Sequence, residues 1–227
     1  MKATYILLVL FSLLLKSGKA FCQSEEDDVE IEKLRIHLAP LNLFDPTSGV
    51  LQLGFQKPFH QRFSLSLDHG VKLRVLRWGV SEKKEHSYSK TKAELKYFFG
   101  VNSRPAWSRV FPYLSIEGMY FPQEYIREDN WVYRGGTYYR FDYSSVTRPV
   151  WVVSLKFGKE TRYRKVVLDK FIGIGLRRLS IKHQAVGERE DFYDHDDWSV
   201  ATSDLEEGIF YKIHLSLGVK FGYPFYR

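Results

Sequence analysis

Residues 208–223 read GIFYKIHLSLGVKFGY, and they alternate almost without interruption. Ile209, Tyr211, Ile213, Leu215, Leu217, Val219, Phe221 and Tyr223 fall on one face, and Phe210, Lys212, His214, Ser216, Gly218, Lys220 and Gly222 on the other. A period of two belongs to a β-strand, whose successive side chains point to opposite sides of the pleat. Ordinary strands stop at about 5–6 residues, so this length asks for an apolar environment thicker than one side of a small core. A lipid bilayer supplies it. A tilted strand crosses hydrocarbon in about 9–11 residues, and it must belong to a closed barrel, because an open edge would leave N–H and C=O groups unpaired in lipid.

The rest of the chain is consistent with export. Lys2, the apolar run Tyr5–Leu15 and Ala20-Phe21-Cys22 ahead of Gln23 form a signal peptide over residues 1–22, with a cut after Ala20 nearly as good. Phe21 and Lys19 argue against a lipobox that would acylate Cys22. Cys22 is the chain's one cysteine, so disulfides and thiolate metal sites are excluded from the mature protein. After Leu15 no run approaches the roughly 18 apolar residues of a membrane helix. The net charge of +7 is partly the leader's and otherwise scattered, which excludes a nucleic-acid-binding patch.

Residues 23–32 are an acidic lead-in, and 33–227 supply the partner strands. Alternation marks Leu34–Phe44, interrupted at Pro40, then Val50–Lys57, Phe63–Val75, Lys92–Phe99, Phe111–Tyr125, Trp151–Gly158, Val166–Arg177 and the final stretch. Gly79–Lys90, Gln123–Pro149 and Gln184–Glu207 read as loops. The expected fold is all-β, an eight-stranded antiparallel up-and-down transmembrane β-barrel. Connections after strands one, three, five and seven are then mostly long and the others short, as in outer-membrane barrels.

A soluble lipocalin-like ligand-binding barrel uses the same alternation with its faces exchanged. The polar face favours the membrane barrel over this alternative, since Gly54, Gly70, Gly173, Gly175, Gly218 and Gly222 lie there among charges, as suits a crowded interior. Trp78, Tyr97, Tyr120, Trp151 and Tyr223, at strand ends, suit interface girdles.

The leader, LNLFDPTSGVLQLGFQKPFHQRFSLSLDHG from Leu41, SLKFGKETRYRKVVLDKFIGIGLR from Ser154 and LSLGVKFGY from Leu215 resemble a small outer-membrane β-barrel domain family of Bacteroidota, largely of unknown function. The likeness covers most of Leu34–Tyr223. It implies eight strands in an architecture like that of OmpA and OmpX, and it assigns no catalytic residue. The chain departs from the usual aromatic last residue, because Arg227 follows Phe225 and Tyr226.

No P-loop, nucleophile elbow, paired-histidine zinc motif or EF-hand pattern is present, and no cofactor, metal or catalytic residue is expected. His69, His183 and His214 are candidates for rim catalysis only in a generic sense. Asp68, Lys72, Arg74, Lys92, Glu94, Lys96, Glu117, Lys156, Asp169, Arg177, Lys212 and Lys220 would share one narrow lumen as a salt-bridged plug; a gated ion path is the alternative. Trp131, Tyr133, Tyr138, Tyr139 and Phe141 crowd one loop and Asp194, Asp196 and Asp197 another, as possible contacts for a surface glycan, protein or cation. Tyr139, Phe141 and Tyr143 keep the period of two, so that hairpin can continue past the membrane. The functional expectation is a monomeric structural or surface-interaction protein in outer-membrane lipid; the alternatives are a lipid-modifying enzyme or a narrow channel.

Overall fold

The computed structural model describes residues 32–44, 49–73, 83–99, 110–163, 166–191 and 205–226. The strands are β1 (Glu32–Leu38), β2 (Val50–His60), β3 (Phe63–Lys72), β4 (Lys84–Phe98), β5 (Val110–Phe121), β6 (Gln123–Arg134), β7 (Thr137–Thr147), β8 (Val150–Tyr163), β9 (Val166–Val186), β10 (Arg189–Asp191) and β11 (Gly208–Tyr226), with one 3-10 helix, Pro40–Phe44. Eight of them close a ring of antiparallel pairs in the order β1, β2, β3, β4, β5, β8, β9, β11 and back to β1. This is an up-and-down barrel with no open edge at the end where β1 meets β11.

The pairings also fix its dimensions. From Tyr223, paired with Ile36, they run through Phe55, Leu67, Ala93, Gly118, Val153 and Leu176 and return to β11 at Ile213, ten residues away. A stagger of ten over eight strands tilts them by about 40° from the barrel axis. An interior that narrow is filled by side chains.

The two faces are as far apart in character as the alternation demands. Leu215 and Leu217 are 77% and 78% exposed, whereas Glu94, Lys96 and Lys156 are fully buried. Ile116, Val153, Leu155, Phe157, Ile172, Ile174 and Ile213 continue an outward apolar belt round the wall. Aromatic pairs rim it: Tyr120 and Trp151 (4.3 Å) at one end, Phe63 with Tyr97 (5.1 Å) and Tyr223 with Phe225 (5.3 Å) at the other. The second end carries both termini of the barrel and is called proximal below. Lys159 and Lys170, paired and facing outward, end the belt on β8 and β9, where long stems reach back toward the interface. A lipocalin-like barrel is thereby excluded, because its apolar face would be inside.

Two inward glycines are required by packing. A Cβ on Gly218 would collide with the Phe171 ring, and one on Gly54 would strike Asp68, the His37 imidazole at 2.6 Å and the Leu67 carbonyl oxygen at 2.7 Å.

Several sequence expectations are corrected by the distal half. Residues 123–149, expected as a loop, form a hairpin along their length, of which the alternation at Tyr139, Phe141 and Tyr143 marked one strand. β6 continues β5 beyond Pro122, and β7 leads into β8 through Arg148 and Pro149, with Phe121 opposite Val150 and Glu124 opposite Thr147 in one unbroken register. Neither proline breaks the wall, since each sits where adjoining ladder bonds persist: Arg148 N–H donates to the Gln123 carbonyl (2.8 Å) and Ser180 N–H to that of Pro149 (3.2 Å). The hairpin closes at Gly135-Gly136, whose φ of 60° and 94° suit a two-residue turn. Residues 84–90, expected in a loop, belong to β4, whose distal end pairs with β6. The first strand stops at Leu38 rather than Phe44, because Pro40 starts the 3-10 helix. The third distal connection is thus a tight turn, and the length expected in a loop there belongs to strands.

Candidate functional site

Two regions gather the polar chemistry: the lumen and the distal hairpin. In the lumen, Arg35, Lys92, Lys96, Lys156 and Lys220 face Asp68, Glu94, Glu117, Glu160 and Asp169, all buried. Lys96 donates to Asp169 (2.6 Å), Glu160 (2.9 Å) and the side-chain amide oxygen of Gln56 (3.0 Å), and its ammonium lies 4.5 Å from the centre of the Tyr113 ring. Arg35 meets Glu160 at 2.7 Å, and Tyr113 donates to Asp169 at 2.7 Å. Lys220 bridges Asp68 (3.1 Å) and Glu94 (3.0 Å). The His37 imidazole holds Asp68 at 2.5 Å, Ser115 donates to Glu94 at 2.7 Å, and Lys156 pairs with Glu117. Charges at such depth persist only when each is paired and hydrogen-bonded. Equal numbers of each sign, drawn from seven strands and, apart from Lys92, cross-linked, make a closed plug rather than a water path.

The structure brings eight of the residues expected in the lumen into that plug or onto its edge: Asp68, Lys92, Glu94, Lys96, Glu117, Lys156, Asp169 and Lys220. Lys72 and Arg177 sit half-buried on the distal side, where Lys72 donates to the His86 carbonyl. Lys212 is exposed, and Arg74 lies outside the described residues. Sequence reasoning missed Arg35, His37, Tyr113 and Glu160. Arg35 and His37 alternate with Leu34, Ile36 and Leu38, so the period of two could have found them. Glu160 was hidden because Lys159 outside ends the apolar run that would have extended the strand.

The distal hairpin has a small core of its own, with Val132 and Phe141 fully buried and Tyr125, Val146 and Ile181 packed together. Trp131, Tyr133, Tyr138 and Tyr139 are half-buried, with Tyr138 against Trp131 (5.2 Å) and Tyr133 (4.9 Å). The chain between β9 and β11 clasps the tip from both sides. β10 pairs with Tyr138–Arg140 on β7, while Tyr133 on β6 donates to the Leu205 carbonyl (2.9 Å) and accepts from the Glu207 N–H (3.2 Å). Glu207 accepts from Arg134 Nε (2.5 Å) and from the His183 N–H (2.6 Å). Burial pushes its carboxyl up, but these two donors outweigh that and hold it below the usual carboxylate range. Asp194, Asp196 and Asp197 lie outside the described residues.

The three histidines do not meet. His69 faces outward in the apolar belt and bonds Thr91 (2.9 Å), and His214 lies 3.2 Å from Arg177 inside the barrel. His183 Nδ1 is 3.3 Å from Ser144 Oγ, but both side chains are buried and Glu207 holds the backbone of His183. That hydroxyl has no approach for a substrate. Among the described residues, no three His, Cys, Asp or Glu side chains cluster as metal ligands.

No protein-family model matches the chain, and no curated protein matches it. Among solved structures it is similar to the crystal structure of Acinetobacter baumannii CarO, with a TM-score of 0.39 and 8% identity over 89% of this chain and 100% of that one.

Proposed function

We propose that this protein is a monomeric integral outer-membrane barrel that is exported by its signal peptide, belongs with the small Bacteroidota barrels, and works as a structural or surface-interaction protein. The observation that carries the reading is the pairing of an exposed apolar belt with a lumen of neutralised charge, an arrangement stable only when the outside is hydrocarbon. Within it the proximal rim faces the periplasm, and the β6–β7 hairpin projects from the cell. A tip clasped on both edges presents half-buried aromatic rings on a rigid frame, which suits contact with a glycan or another protein. The closed plug favours this role over conduction, and the enclosed Ser144 and the separated histidines favour it over lipid chemistry. Fractionation tests the assignment: the protein should sediment with outer membrane and show heat-modifiable mobility, and recovery as a soluble periplasmic protein would refute it.

A further inference from the structure

Just distal to the plug the inner wall changes character. Lys92 on β4 pairs with Met119 on β5, Met119 with Val152 on β8, Val152 with Arg177 on β9, and Arg177 with Lys212 on β11. Residues paired in register share a face, so this row sets three cations and two apolar groups along one arc of the inner wall. The adjacent proximal row, Glu94, Glu117, Ser154, Gly175 and His214, holds carboxylates. The adjacent distal row, Phe121, Val150, Leu179 and Phe210, is apolar.

Lys92 is the member that asks for a ligand. It is only 8% exposed, and among the described residues it makes no ion pair or hydrogen bond, although Asp68 lies within electrostatic reach. Asp68 is already taken by His37 and Lys220, and Glu94 by Lys220 and Ser115. Asp68 stands opposite Lys92 in register, but that carboxylate is already shared with His37 and Lys220, so a further anion is favoured beside the buried ammonium. His214, in the adjacent proximal row, lies 3.2 Å from Arg177. Lys212, at the far end of the row, is exposed, so a ligand can reach it from solvent.

We infer that this row binds the anionic head of a small amphiphile whose apolar body lies outward against Tyr88 and Phe210, the incompletely buried edge of the cluster formed by Met119, Phe121, Val150, Val152 and Leu179. The head is a carboxylate or phosphate, supplied either by a free solute or by an anionic lipid. The inference goes beyond the surface role and needs only the barrel.

The probe is cis-parinarate, a fluorescent fatty acid, titrated against the full protein refolded in phosphatidylcholine vesicles. Wild type should bind it saturably. Lys92→Met and Lys212→Gln should each weaken binding roughly tenfold or more, as loss of a charged contact does, while leaving parinaroyl alcohol unaffected. Lys212 is exposed, so its variant keeps the fold if Lys92→Met does not, and heat-modifiable mobility verifies folding in each. Absent binding by folded wild type, or equal parinarate affinity in folded variants, would overturn the site. Displacement by phosphatidylglycerol in the vesicles would support it with lipid as occupant; persistence of binding would support it with a free solute.

Discussion

Arg35 from the first strand and Glu160 from β8 meet across the lumen at 2.7 Å, each almost wholly buried. They tie the first strand of the ring to its sixth across the lumen, and Lys96 reaches the same carboxylate at 2.9 Å. Glu160→Gln would take away a carboxylate shared by two buried cations, so it should cost about 3–5 kcal/mol in urea titrations of the refolded barrel. Arg35→Met combined with Glu160→Gln should recover part of that loss. Additive losses in the double variant would contradict the pairing.

The plug should also prevent conduction. Purified barrel in planar bilayers is expected to show no steady open-channel steps, because the carboxylates and ammoniums of Glu94, Lys96, Lys156 and Lys220 are fully enclosed. Reproducible unitary steps from the folded protein would instead identify a pore.

Gly54 tests how tightly the lumen is packed. Its missing side chain makes room for the His37 and Asp68 contact, so Gly54→Ala should destabilise the barrel by about 1–3 kcal/mol. Gly118 faces outward with open space around it, and Gly118→Ala should leave stability within about 0.5 kcal/mol of wild type. Refolding titrations of the two side by side make the comparison.

At the hairpin tip, acid should release the clasp. The Glu207 carboxyl is held below its ordinary value of 4.5, so its contribution is fully present above that pH and is lost as pH falls through the lower folded value. The amide resonances of Tyr133 and Glu207 should move together below about pH 4.5 in micelles. In Arg134→Gln the transition should shift toward higher pH. A Glu207 transition unchanged by that substitution would mean Arg134 does not hold it.

Alternation made the barrel legible because each strand separates hydrocarbon from a charged interior, and β11 and β3 express that contrast along most of their length. It fails where the outside stops being apolar. Lys159 and Lys170 face outward near the proximal girdle, and the first of them concealed the continuation of β8 that carries Glu160. Beyond the belt the hairpin meets water on its outer face, so Gln123–Pro149 looked like a loop although its register with β8 and β9 never breaks. Asp129, at φ 46°, switches the inward face from Tyr125 and Arg127 to Val132, which hides the period of two there. The chain also could not announce which charges pair. His37 with Asp68 and Tyr113 with Asp169 depend on barrel closure and on the stagger of ten, which come from the whole ring of registers.

The outward direction of the belt is tested most directly on the final strand. Leu217 lies in its middle, Tyr223 and Ile209 lie toward the two ends, and Ser216 points into the lumen beside Gly173 and Lys156. Unfolding free energies in lipid vesicles should show Leu217→Arg costing about 2–4 kcal/mol and Arg at Ile209 or Tyr223 about 0–1 kcal/mol. Ser216→Arg should destabilise through crowding and repulsion from Lys156, independent of depth. Equal costs at Leu217, Ile209 and Tyr223 with none at Ser216 would mean that the apolar face does not meet a bilayer.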